Sequence, residues 1–131
     1  MGQPLYLSGV NVAGTVHNVV YVATVHDSLY AFDADGTNTT PLWMTSILTY
    51  SPAEATSVPA TVTKSAATTG WTEVGIVSTP VIDPSRGILY LVAETYENGN
   101  VVHRLHALDV TSGLETLGGP LRLWRAMRSI E

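Results

Sequence analysis

Short apolar runs broken by turn residues recur along this chain, and one pattern of them occurs twice. Residues 18–36 read NVVYVATVHDSLYAFDADG and residues 87–113 read GILYLVAETYENGNVVHRLHALDVTSG. Val20-Tyr21-Val22-Ala23 aligns with Leu89-Tyr90-Leu91-Val92 at an offset of 69 residues. Ser28-Leu29-Tyr30-Ala31-Phe32-Asp33 aligns with Arg104-Leu105-His106-Ala107-Leu108-Asp109 at an offset of 76, as Pro4-Leu5-Tyr6 does with Pro80-Val81-Ile82. A longer turn around Tyr96-Glu97-Asn98-Gly99-Asn100 accounts for the difference, because hairpin tips tolerate insertion. Such self-similarity marks a repeated supersecondary unit.

Each unit predicts four short strands. They fall at about 4–10, 18–24, 28–33 and 41–47 in the first unit, and at about 79–83, 87–93, 102–109 and 117–123 in the second. The first two strands of each unit are apolar at successive positions, which predicts sheets covered on both faces. His26-Asp27 and Asn98-Gly99-Asn100 supply the hairpin turns. The chain therefore divides into a first blade-like unit (1–48), a Thr/Ala/Ser/Pro-rich connection (49–77), a second unit (78–121) and a divergent tail (122–131). The connection has no clear period and reads as a surface excursion. In the tail Leu123, Trp124, Met127 and Ile130 recur at helical spacing, which predicts a short amphipathic helix able to cap an exposed sheet face.

Composition sharpens this. Of 131 residues, 45% are hydrophobic and only 13% charged, so the chain can bury a real core. The net charge of −5 is uneven: residues 1–121 carry −7, while Arg122, Arg125 and Arg128 against Glu131 give the tail +2. An acidic body argues against nucleic acid as a partner, since phosphate binding wants a basic surface. No apolar run reaches the ~18 residues of a membrane span. There is no cysteine, which removes disulfides, thiolate chemistry and Cys-ligated zinc. The start, Met1-Gly2-Gln3-Pro4, shows no charged leader before an apolar core, so no signal peptide is expected in this sequence.

The ends of the third strands carry the most specific motif. Ala107-Leu108-Asp109-Val110-Thr111-Ser112-Gly113 and Ala31-Phe32-Asp33-Ala34-Asp35-Gly36, the latter followed by Trp43, resemble the pyrroloquinoline-quinone (PQQ)-like repeat, whose pattern is Ala-x-Asp-x-x-Thr-Gly with a Trp a few residues later. Leu117 stands where the second unit would have its Trp. The resemblance covers about residues 3–121 and extends to exported bacterial propeller proteins. It implies an all-β fold of two four-stranded antiparallel propeller-type blades. Ala31 and Ala107 would be small where sheets approach. Asp33 and Asp109 would accept bonds in the following turn, Gly36 and Gly113 would take positive φ, and Trp43 would dock on the neighbouring sheet. None of these roles is catalytic.

The expected function is a scaffold or interaction module. Two blades cannot close a ring, so apolar blade faces would be left to self-associate. A second reading is a calcium-dependent hydrolase of lactones or esters. Its candidate ligands are Asp33, Asp35 and Asn38, where oxygen-bearing side chains surround a Gly turn, although no bidentate Glu follows at the spacing of an EF-hand loop. A third reading, a fragment of a quinoprotein dehydrogenase, ranks last, because two blades supply too little of a PQQ site. His103-x-x-His106 would point to opposite faces of a strand and share no metal. No Gly-x-Ser-x-Gly elbow, His-Glu-x-x-His or phosphate-cradling loop occurs.

Overall fold

The computed structural model describes residues 2–52, 54–59, 61–62, 73–76 and 78–123. The β-branched and aromatic runs form strands, as their preference for a pleated surface dictates. The first sheet is antiparallel, in the order β1 (Leu5–Val12), β2 (Thr15–Ala23), β3 (Ser28–Asp33) and β4 (Trp43–Ser46). A 3-10 turn over Ile47–Tyr50 leads to β5 (Thr56–Pro59) and β6 (Glu73–Val74). The second sheet is built on two ten-residue strands, β8 (Ile88–Glu97) and β9 (Asn100–Asp109). β7 (Val81–Asp83) pairs with the start of β8, β5 pairs with its end, and β10 (Leu121–Arg122) pairs with β9.

The sequence repeat is a repeat of strand register. Tyr21 lies opposite Leu5 on one side and Ala31 on the other, and Tyr90 lies likewise between Val81 and Ala107. Val20 opposes Phe32 as Leu89 opposes Leu108. Beyond the strands the match continues: Ala34 N donates to Asn18 O at 2.7 Å, and Val110 N to Gly87 O at 3.0 Å.

Burial, however, is inverted between the units. Tyr21, Ala23 and Leu29 are buried in the first sheet, whereas their counterparts Tyr90, Val92 and Leu105 stay half exposed; Val19 and Ala31 and their counterparts Ile88 and Ala107 are buried in both. Leu89, Leu91, His106 and Leu108 are buried in the second sheet, and their counterparts Val20, Val22, Tyr30 and Phe32 are half exposed. The buried residues of both sheets form one core cluster. One face of the repeat therefore packs on the opposite face of the next copy. Among the described residues the Val20–Phe32 side of the first sheet is left open, whereas the Tyr90 side of the second is partly covered: Val58 and Val74 pack on Tyr96 and Val101, and Ile88 and Ala107 are buried.

The first sheet docks on the loop that follows β9. The buried Tyr21 Oη donates to Val110 O at 2.8 Å, and Trp43 Nε1 donates to the same carbonyl at 3.3 Å. Burial, with a smaller contribution from Asp109, pushes the Tyr21 phenol upward and keeps it a neutral donor. Thr45 Oγ1 donates to Gly113 O at 2.8 Å. Gly113 has φ 74°, and a Cβ there would overlap the Trp43 ring and the Thr45 hydroxyl. The docking Trp of one unit thus rests on the motif glycine of the other.

Two expectations need correction, and a third falls largely outside the described residues. The second sheet has six strands rather than four, because the connection 49–77 contributes β5 and β6 and is not only a surface excursion. Its Val58 and Ile76 are fully buried. Gly36 does not adopt positive φ, unlike Gly113, so the first turn closes without a left-handed residue at its glycine. The helical expectation for 122–131 lies outside the described residues from 124 onward, and Arg122 belongs to β10.

Trp43→Ala should destabilise the chain by about 2–4 kcal/mol, somewhat less than a fully buried aromatic would lose, because part of the ring is exposed. Gly113→Ala should cost a similar amount through both overlap and backbone strain. Chemical denaturation of the two variants measures this. Losses near zero would mean that the sheets do not depend on this dock.

Candidate functional site

A fully buried carboxyl group lies at the β2–β3 turn. Asp27 sits at its tip in a left-handed conformation (φ 56°), a conformation Asp tolerates better than most residues. Thr24 N donates to Ser28 O at 2.9 Å, and Ile47 N donates to Asp27 O at 2.7 Å, so the turn is fixed on both sides. The side chain is fully buried. Ser57 Oγ, on β5, donates to Asp27 Oδ2 at 2.7 Å. Gly75 closes the third side, where a Cβ would overlap the Asp27 carboxyl group and Val25 O. The 73–76 segment also bridges the sheets: Ile76 N donates to Thr24 O at 3.2 Å, and Glu94 N donates to Gly75 O at 3.3 Å.

Burial raises the Asp27 carboxyl from 3.8 to about 7; the Ser57 hydrogen bond opposes that rise, and the nearby Glu94 charge adds to it. Asp27 Oδ1 has no partner among the described residues. A buried bare carboxylate oxygen would carry the full cost of desolvation, whereas a protonated carboxyl does not. Burial thus favours the protonated form of Asp27 below about pH 7. Ser57 Oγ donates a hydrogen bond to that acid, and no histidine among the described residues is hydrogen-bonded to Asp27. The pair has the form of a lock between hairpin and connection, not of an activated nucleophile.

Each histidine is committed to a carboxylate. His17 Nδ1 lies 2.9 Å from Asp33 Oδ2, His103 Nε2 lies 3.0 Å from Glu94 Oε1, and His106 Nδ1 lies 2.9 Å from Glu115 Oε2; His26 pairs with Glu73. His103 and His106 fall on opposite faces of β9, as their odd spacing requires. His106 is fully buried beside Tyr50, and its Nε2 has no partner among the described residues.

The proposed calcium ligands are held as turn residues. Asp33 Oδ1 accepts from the backbone of Asp35 (2.9 Å) and Gly36 (3.1 Å), while Oδ2 faces His17; this bonding, His17 first, lowers its carboxyl below the usual range. Asp35 Oδ2 accepts from Asn18 Nδ2 at 2.6 Å, and Asn38 Oδ1 from Thr40 N at 2.9 Å. Asp109 does in the second unit what Asp33 does in the first: its Oδ1 accepts from Thr111 N at 2.8 Å and from Thr111 Oγ1 at 2.6 Å. Ala31 is fully buried at the sheet–sheet contact, and Ala107 is buried between Tyr90 and the fourth-strand segment. Among the described residues no three acidic or histidine side chains cluster as metal ligands.

A cleft of about 310 Å³ opens at the β8–β9 tip, lined by Pro52, Glu54, Glu97, Asn98, Val102 and Arg122 among others. Its charges are partly spent: Glu97 is held low chiefly by Arg104, whose Nη2 donates to Oε2 at 3.1 Å. Ser57, Gly75, Glu94 and Glu115 had no motif to announce them, and Asp27 was visible only as a turn residue. Compared with known proteins, the chain matches no family model, no curated protein and no solved structure.

The buried acid gives a signed pH dependence. Folding raises the affinity of Asp27 for its proton, so stability is greatest below its unfolded value of 3.8 and falls as pH rises to about 7. The full difference corresponds to on the order of 4 kcal/mol. Asp33, Asp83 and Glu97 act oppositely, since their carboxyls are lowered and their contribution is lost as pH falls below about 4. Asp27→Asn should flatten the decline between pH 4 and 7 and melt higher than wild type at pH 8. An unchanged slope in thermal melts would show that Asp27 ionises freely.

Proposed function

We propose that this chain is a pair of propeller-type blades of the PQQ-like repeat kind and acts as a scaffold or binding module rather than a catalyst. The observation that carries this reading is the head-to-tail contact of two sheets that share a strand register, which leaves apolar rows through Val20 and Val22 on one and Tyr90 and Val92 on the other without cover among the described residues. Uncovered apolar sheet surface of this kind marks an interaction site. The polar clusters support the same reading. Ser57 donates to a buried acid, the four histidines pair with carboxylates, and Asp33, Asp35 and Asn38 satisfy turn donors.

The rival is a calcium-dependent lactone or ester hydrolase, and one pair of measurements separates the two. Purified chain is assayed on phenyl acetate and a simple lactone with calcium and with chelator, and its melting temperature is recorded under both conditions. The module reading expects no turnover above buffer and no calcium shift. Calcium-dependent turnover, with a melting rise that Asp35→Ala abolishes, would replace it with the hydrolase, because a ligand that binds only the folded state stabilises it by mass action.

A further inference from the structure

We propose that the two outer faces bind each other between copies of this chain, head to tail, and that three or four copies close into a ring. The inference rests on the two-blade reading and adds its partner, a second copy, and the geometry of contact.

The internal interface is the template. It joins the Tyr21 face of the first sheet to the Leu89 face of the second. The repeat places the same two faces on the outside of the molecule, where among the described residues the second is covered only toward its Tyr96–Val101 end, by Val58 and Val74. Tyr90, Val92 and Leu105 on the second sheet hold the positions of Tyr21, Ala23 and Leu29. Val20, Val22 and Phe32 on the first hold those of Leu89, Leu91 and Leu108. The outer second-sheet face is therefore a copy of one partner, and the outer first-sheet face is a copy of the other.

The details fit the exchange. Tyr21 donates to Val110 O internally; between copies Tyr90 would reach toward Ala34, the residue bonded in the first unit as Val110 is in the second. Leu42 N donates to Ala31 O and Thr116 N to Ala107 O, so Leu117 follows in the place of Trp43. Leu121 opposes Leu105 as Thr45 opposes Leu29. Leu117 and Leu121 are 65% and 61% exposed, which suits side chains meant to be covered. On the receiving face Tyr30 and Phe32 stack at 5.9 Å with Met44 beside them, and none of these three is charged.

A contact between two different faces is heterologous, and such contacts either close into rings or run on as filaments. Three or four copies would bring roughly six to eight blades together, within the range of closed propellers.

Two variants block one face each at sites exposed in the single chain: Met44→Arg (52% exposed) on the first sheet and Val81→Arg (65%) on the second. Neither side chain is in the buried core, so each variant should fold, which circular dichroism melts check. Sedimentation across a concentration series should give wild type at three or four times the 14.0 kDa of one chain. Each variant alone should be a monomer. Mixed in equal amounts, they should form a one-to-one heterodimer and nothing larger, because each supplies the face the other lacks. A wild-type monomer throughout, a dimer sensitive to only one of the two variants, or a species that grows without limit would each overturn the ring. The hydrolysis assay on the same samples is independent: a monomer without turnover sinks the ring and leaves the module reading standing.

Discussion

The carbonyl of Val110 fixes how the two halves of this protein meet. It accepts from Tyr21 Oη and from Trp43 Nε1, two donors reaching across from the first sheet. Aromatic side chains suit this contact because a large apolar body is buried while a polar tip finds its partner. Their rings, 5.8 Å apart and tilted, fill the space that Gly113 leaves by having no side chain. The contact has direction. Donors lie on one face of the repeat and the acceptor loop belongs to the other, so equal sequences acquire opposite burial.

The connection between the units uses that arrangement rather than merely crossing it. Gly75 presses against the Asp27 carboxyl, Ile76 bonds the first sheet, and the Gly75 carbonyl bonds the second. Meanwhile β5 extends β8 beyond the length its counterpart β2 reaches, and it brings Ser57 to the acid. A buried acid held by one hydroxyl contributes little net stability at neutral pH, where its desolvation is least favourable. It does define a geometry: the turn, the connection and β8 must all be in place for the carboxyl to have its partner.

What could be read from the sequence follows from what repeats. Positions 20–33 and 89–109 carry the same pairs in the same order, so strand number, order and register in the repeated parts were legible, and β3 was legible to its end residues. The Asp33 and Asp109 turns were legible because Asx bonding is local. Sheet coverage was not. Apolar runs such as Ile88–Val92 show that a strand has two apolar faces, but which face is covered depends on how the sheets stack, and no local pattern encodes that. Strands β5 and β6 were missed for a related reason. Thr56–Pro59 and Glu73–Val74 are short, and they pair with residues about forty positions away or with each other, so no period marks them. Asp27 looked like an ordinary turn residue, because its burial is imposed by Ser57 and Gly75, which lie 30 and 48 residues further along.

The outer faces depart from the usual pattern of an antiparallel sheet. An antiparallel sheet with one wet face ordinarily alternates apolar and polar residues along each strand. Here the open side carries Val20 and Val22 on β2 and Tyr30 and Phe32 on β3, with the polar Asn18 and Ser28 only at the strand ends. On the second sheet's open side Glu94 and His103 pair with each other toward one end and Asp83 and Asp109 flank Ile88 at the other, which leaves the rows through Tyr90 and Val92 apolar. A face built to remain in water would gain solubility from charges in these rows. Their apolar character is the same as that of the buried rows to which they correspond, and it follows the repeat rather than the exposure. Under the proposed assembly these outer rows are docking rows, and the covered side is the template for their neighbour.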